Sequence, residues 1–305
     1  MFNLVQRRRL FYIFSLAIIG VGFIAMLISL IRTGSPFQIG VDFKSGTRFE
    51  IQFLEAVTEN DIRAAFQAGG INNPSITAIQ GEATNTWQIR SEFVAPEKAN
   101  SLIATLAETV GGIDQETVQV QSVSPSIGSE VTRSAVVAVG VASLIILIYI
   151  MLTFRQLENS FRYGVCAVIA MIHDILVVMG FMAITGMIFG WEVDSLFLTA
   201  MLTVAGFSLQ DTIVMFDRIR ENTNRRPGED FETIVNRSIL ETIHRSLTTQ
   251  LCAMFVMVAI LLFGGASIKH FIAVLFVGLL SGTYSSIFNA VPLLVTWEKW
   301  ATSNV

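Results

Sequence analysis

Six mostly apolar stretches, roughly residues 10–31, 134–154, 163–187, 195–216, 246–265 and 271–296, constrain this chain more than any motif in it. Each reaches the length of about 20 residues that a helix needs to cross the hydrocarbon of a bilayer. The expected fold class is therefore a polytopic α-helical membrane protein with six transmembrane helices. Composition agrees, with 52% hydrophobic and only 14% charged residues, against roughly 25% charged in an ordinary soluble domain. A net charge of −4 and the lack of a long Lys/Arg cluster give no footing for a nucleic-acid partner. Cys166 and Cys252 both fall inside apolar runs, so a disulfide framework is not expected and they read as small packing or lipid-facing residues. The first apolar run follows Arg7-Arg8-Arg9 as a signal peptide would, but it is too long and no Ala-x-Ala site follows. It is expected to remain as an anchor.

Basic residues orient the bundle. Arg7 to Arg9 precede helix 1, Arg155 and Arg162 lie between helices 2 and 3, and Arg218, Arg220, Arg225, Arg226 and Arg237 lie between helices 4 and 5. Those ends are expected in the cytoplasm, with both termini inside. The block between helices 1 and 2 then faces the other side. The organisation expected is 1–32 for the first segment and helix, 33–132 for an extracytoplasmic domain, 133–297 for helices 2 to 6 and 298–305 for a short cytoplasmic tail. Within the block, strand and helix periods alternate: a strand at Thr47 to Glu55, a helix at Thr58 to Gly70 opened by a Thr-x-x-Asp cap, and strands near 75–81 and 85–92 joined by a turn. A helix at Ala95 to Gly112 with Pro96 in its first turn and a strand at Glu116 to Val123 complete the order. The order βαββαβ predicts a ferredoxin-like α+β domain, a fold that hosts many unrelated functions.

Asp211 sits well inside the fourth apolar run, about 9 Å deeper than Asp217 at 1.5 Å per residue. A charge at the centre of a spanning helix costs roughly 2.5–3.5 kcal/mol on insertion scales, so the position demands a reason. Ala200, Val204, Phe207, Ser208 and Asp211 share one helical face, and Asp217 points about 120° away, toward the interface beside Arg218. Counted from the outer helix ends, Arg245 lies at about 27 Å and Asp211 at about 23 Å, so a carboxylate facing a guanidinium is one reading. A motion that makes and breaks that pair would couple to proton binding; the other reading makes Arg245 a snorkelling anchor and Asp211 a hydrogen-bonding packing residue. His173 and Asp174, nearer mid-membrane, read either as a relay or as a helix-packing pair. Gly278-x-x-x-Gly282-x-x-x-Ser286 is a close-packing face. No Gly-x-x-x-x-Gly-Lys-Ser/Thr loop, no metal-ligand spacing among His173, His244 and His270, and no Gly-x-Ser-x-Gly elbow occurs. No enzyme, cofactor or metal is expected.

Four stretches carry a resemblance that runs along nearly the whole chain. "GVDFKSGTRFE" (Gly40 to Glu50), "VSPSIGSEVTRSA" (Val123 to Ala135), "IAMIHDILVVMG" (Ile169 to Gly180) and "GFSLQDTIVMFDRIREN" (Gly206 to Asn222) resemble motifs of the SecF subunits of bacterial protein-export machinery. Ser45 stands where the family usually has glycine, Gln210 where it has asparagine, and "HRSLTTQLCA" (His244 to Ala253) has lost part of a threonine-rich run. The resemblance implies a resistance-nodulation-division architecture in the bacterial inner membrane and pairing with SecD, in some members also YajC. It further implies assistance to the SecYEG channel and SecA, with the proton-motive force drawing a preprotein across a lipid membrane. By the same likeness the proton-linked aspartate falls on Asp211 and its helix-5 arginine on Arg245. Asp217 and Arg218 match an interfacial motif, and Gly40, Asp42, Phe43 and Gly46 match the motif after helix 1. Two rival functions stay open: a proton-driven small-molecule or lipid exporter, and a scaffold for SecD that transports nothing.

Overall fold

The computed structural model describes residues 4–79, 85–155 and 160–303 of the chain. The turn expected between strands 75–81 and 85–92, with the last residues of the first of those strands, and the last residues of the tail lie outside the described residues. Among the described residues, six helices are long and apolar enough to cross a membrane. They are α1 (Arg8–Thr33), α5 (Pro125–Thr153), α6 (Ser160–Phe189), α7 (Ser195–Arg225), α8 (Phe231–Phe263) and a final span in which α9 (Ala266–Ser285) passes through a π-helical turn (Ser286–Ala290) into α10 (Val291–Ser303). Pro292 has no N–H to return to Phe288, which is where a regular helical ladder would have been interrupted in any case. The chain packs as two compact units. One comprises Met1–Pro36, Ala138–Ile184 and Leu196–Val305; the other comprises Phe37–Val137 and Thr185–Ser195.

The second unit contains a four-stranded antiparallel sheet, β1 (Gly46–Gln52), β2 (Ser75–Ala78), β3 (Thr86–Ser91) and β4 (Gln119–Val123), in the order β2-β3-β1-β4. Helices α3 (Glu59–Ala68) and α4 (Pro96–Thr109) follow β1 and β3, and a short α2 (Val41–Lys44) precedes β1. Local chemistry accounts for the boundaries. Thr58 caps α3 in a reciprocal box with Asp61, and Pro96 occupies the first turn of α4, where its missing N–H costs nothing. Strand β1 alternates, sending Phe49 and Ile51 into a core with Ile62, Phe66, Ile89, Leu102 and Leu106, and leaving Arg48, Glu50 and Gln52 on the polar face. Gly46 has φ +128°, and a Cβ there would lie 2.6 Å from the Ser91 carbonyl, so only glycine fits. Ser45 beside it adopts φ 61° with an extended ψ of 162°, a region that residues with a Cβ rarely occupy.

The helices of the first unit run further than their apolar stretches. The fifth was expected at 246–265 but α8 starts at Phe231, because Asp230 caps it through the Thr233 N–H and Ile234, Val235, Ser238, Ile239 and Thr242 are buried at helical spacing. Likewise α7 continues to Arg225, so most of the arginines expected in a connecting loop lie on helices. Phe154, just past α5, stacks on Tyr163 of α6 at a centroid separation of 5.6 Å, and Tyr163 meets Phe216 of α7 edge to face at 5.1 Å. Helices α1 and α6 meet at Gly22 and Gly180: a Cβ on Gly180 would lie 2.7 Å from Gly22 Cα. Gly278 of α9 receives the side chain of Val204, and Gly282 lies against Ser208, so the small-residue face does pack closely.

Candidate functional site

Among the described residues, two carboxylates are buried within the candidate spans, and their surroundings differ. Asp174 on α6 is fully buried. Ser208 of α7 and Ser285 of α9 each donate to its Oδ2 at 2.6 Å, and Ser281 of α9 donates to Oδ1 at 2.7 Å. His173 Nδ1 lies 3.0 Å from the same Oδ1, while its Nε2 is buried without a partner among the described residues. Three helices thus converge on one acceptor group. The approach is possible because Gly282 has no side chain: a Cβ there would stand 3.3 Å from Ser208 and 3.6 Å from Asp174 Oδ2. A carboxylate whose lone pairs are met by hydroxyl donors is what a water-free interior requires of it.

Asp211, one turn further along α7 than Ser208, is buried and accepts one side-chain hydrogen bond, from Gln250 of α8 at 2.7 Å. Its face of α7 is the buried one, with Ala200, Val204, Ser208 and Thr212; Phe207, expected on that face, falls at its rim and is exposed. Arg245 does not face Asp211 in this arrangement. Its side chain is exposed, and among the described residues it forms no ion pair. The reason is azimuthal: Arg245 and Gln250 are five positions apart, about 140° around the helix, and α8 presents Gln250 to α7. Ser246, on the Gln250 face, is buried with an Oγ that has no partner among the described residues. Equal depth brought Arg245 and Asp211 to similar heights in the sequence reading, but not to the same side.

Asp217 and Arg218 lie further along α7. Asp217 is exposed and pairs with Arg220 at 2.6 Å, whereas Arg218 reaches Glu221 at 2.5 Å and, across to α8, Glu241 at 2.8 Å. Asn222 is buried beneath them and donates to both Ser238 and Glu241 at 2.9 Å. The Asp-Arg-x-x-Glu-Asn run therefore pins α7 to α8.

The motif after helix 1 gathers in the second unit. Gly40 N donates to Val193 O at 2.8 Å, and Val193 N to Gln38 O at 2.7 Å. Buried Asp42 accepts from both the N–H (2.9 Å) and the hydroxyl (2.6 Å) of Ser195, the first residue of α7, and from Gln121 of β4 at 2.6 Å. The Phe43 carbonyl accepts from Thr132. Sequence reasoning missed Ser281, Ser285, Gln250, Asn222 and Glu192. The serines had a signal: Ser281 and Ser285 flank the Gly278/Gly282 stripe at i, i+4 spacing.

A family comparison matches residues 102–300 to "Protein export membrane protein SecD/SecF, C-terminal". Over 98% of this chain and 95% of the relative, the chain is 45% identical to protein translocase subunit SecF of Thermobaculum terrenum. It is 33% identical to protein translocase subunit SecDF of Bacillus subtilis, covering 97% of this chain and 38% of that one. The crystal structure of SecDF, a translocon-associated membrane protein from Thermus thermophilus, superposes with a TM-score of 0.81 at 28% identity over 98% of this chain. The chain spans 39% of that SecDF polypeptide. Through the family match and the full-length relatives alike, the chain belongs to the SecD/SecF family of protein-export membrane proteins.

Proposed function

We propose that this protein is the auxiliary Sec translocase subunit that works with SecD to promote preprotein export through SecYEG and its SecA motor, drawing on the proton-motive force. Asp211 is the proton-responsive group. The observation that carries the reading is its environment: a carboxylate buried in a candidate span and held by the neutral Gln250 amide, on whose face of α8 the buried Ser246 hydroxyl has no partner among the described residues. A neutral partner supports either protonation state, because the Gln250 amide can donate to a carboxylate or accept from a carboxylic acid after rotation. Asp174, by contrast, is saturated by donors and acts as the packing centre on which α6, α7 and α9 pivot.

In this reading Arg245 is the partner that Asp211 acquires when α8 turns, which keeps the carboxylate ionised in one state and releases it in the other. The fused SecDF relatives support a SecD partner, with YajC an accessory in some assemblies. Both termini face the cytoplasm of the inner membrane. The α/β unit is a ferredoxin-like domain on the opposite side, a reading supported by its split βαβ strand order. It bears on the emerging chain.

The test is completion of preprotein export in vesicles carrying the protein with its SecD, with and without an imposed proton gradient, for wild type and Asp211→Asn. Loss of the gradient-driven part with the complex still assembled supports coupling at Asp211. Persistence of that part refutes it and leaves a scaffold for SecD.

A further inference from the structure

Two buried carboxylates of the second unit, Asp42 and Glu192, lie outside the apolar spans and take no part in proton coupling as proposed above. They act in opposite senses on the segment that leads into α7: Asp42 reaches it from α2, and Glu192 reaches out from it to β3. Asp42, on α2, holds the first residue of α7 through both polar groups of Ser195, while its other oxygen accepts from Gln121 on β4. Gln121 in turn accepts from Arg48 on β1 at 2.9 Å. Glu192, three residues before α7, reaches back to the sheet, pairing with Arg90 of β3 at 2.6 Å and accepting from Gln88. Arg90 also donates to Gln38, whose amide donates to the Gly186 carbonyl near the end of α6. The parallel bridge between Ile39 and Val193 closes the arrangement. Gly40 leaves the space for it: a Cβ there would stand 3.1 Å from Val193 O and 3.3 Å from Glu192 Oε2.

Such a clasp is more than a loop resting on a sheet. The first N–H groups of a helix are unmet and carry partial positive charge, so a carboxylate from another segment binds there by hydrogen bond and dipole together. Helix α7 is unbroken from Ser195 through Asp211, about 24 Å of rod. A shift or rotation of α7 at Asp211 therefore arrives at Ser195 undamped, where a flexible connection would absorb it. We infer that the Asp42–Ser195 and Glu192–Arg90 contacts form a force-transmitting clasp, in which Asp42 is the positioning residue that passes movement of α7 into the β-sheet. The inference rests on the reading of Asp211 as the switch for its input, but its own claim concerns the output end of the helix.

The experiment uses the complex with SecD in vesicles. Asp42→Ala keeps gradient-independent export and lowers the gradient-driven increment by roughly fivefold or more, the population change expected for a lost helix cap. Gln121→Ala, which cuts Asp42 from the sheet without touching α7, lowers it in the same direction and carries the test should Asp42→Ala fail to assemble. Mechanical transmission also predicts rescue. In a Cys166→Ser, Cys252→Ser background, Ile39→Cys with Val193→Cys restores the increment to Asp42→Ala when the disulfide forms and loses it on reduction. The clasp is overturned if neither variant changes the increment by twofold, or if the formed disulfide gives no rescue. An increment that survives Asp211→Asn yet is lost in Asp42→Ala refutes the switch assignment alone and leaves the clasp standing.

Discussion

Replacing Asp174 separates two accounts of the buried carboxylate, because alanine and asparagine remove different things. Asp174→Ala strips the acceptor from Ser208, Ser281 and Ser285, which donate at 2.6, 2.7 and 2.6 Å. Side-chain hydrogen bonds between membrane helices contribute roughly 0.6–1.7 kcal/mol each, so three of them amount to about 2–5 kcal/mol. Ser285 has a fallback in the Gly282 carbonyl at 3.3 Å, which draws its share toward the low end. Asp174→Asn keeps the shape and the oxygen that serves Ser281, and turns the other acceptor into a donor. Ser208 and Ser285 can then rotate to accept from it, at a cost of about 1–2 kcal/mol for the two redirected hydroxyls.

The measurement is reversible unfolding in mixed detergent micelles followed by helix content, with wild type, both variants and a Ser281→Ala reference. The expected order is alanine well below asparagine, with asparagine close to Ser281→Ala. Equal losses for alanine and asparagine would refute the reasoning, since that would make the charge, and not the count of acceptors, the quantity the three helices need. The same variants sort function from packing: if Asp211 is the coupling group, Asp174→Asn is expected to retain most of the gradient-driven export that Asp211→Asn removes.

Two further outcomes follow from the geometry. Gly180→Ala places a Cβ 2.7 Å from Gly22 Cα and is expected to force α1 and α6 apart at a cost of about 1–3 kcal/mol in the same micelle assay. Gly20→Ala, whose Cβ meets nothing within 4 Å, serves as the silent control. Burial, the largest influence, raises the Glu192 carboxyl above its ordinary value of 4.5, against the opposing charges of Arg90 and Arg48 and the Gln88 hydrogen bond, with Asp194 adding to the rise. Burial also lowers Arg90, whose guanidinium stays charged throughout that range. The native state then holds a proton that the unfolded state has lost, so stability falls as pH climbs from about 4.5 through the raised value. Thermal unfolding against pH should show that decline in wild type and lose it in Glu192→Gln; parallel curves would refute it.

How far the sequence carried each part depended on whether the information was local. The box of Thr58 with Asp61 and the first-turn Pro96 lie within a few residues of the boundaries they set, and both helices start where those signals stand. Apolar length found six spans, but it measures lipid exposure and not helix, so it could not see that α8 begins at Phe231 with a polar, amphipathic arm. The site is harder for a related reason. A residue count gives height in the membrane but not neighbours, so the bond from Ser208 to Asp174, which forms where Gly282 lets the helices come close, was not legible in it.

For Asp211 and Arg245 height is only one of two coordinates. The second, rotation about the helix axis, is set by which face of α8 is buried, and the buried set Ser238, Thr242, Ser246 and Gln250 follows a spacing of four that excludes Arg245. Gln250 thus lies on the buried seam and Arg245 off it, although both sit on the same turn-and-a-half of helix. Pairing Arg245 with Asp211 requires α8 to rotate through a large part of about 140°, or Asp211 to leave Gln250 and approach from another side. Either movement breaks the Gln250 contact and re-buries Ser246 against a new neighbour. Covalently joining α7 to α8 at the Gln250 level would therefore abolish gradient-driven export while leaving the buried carboxylates chemically intact.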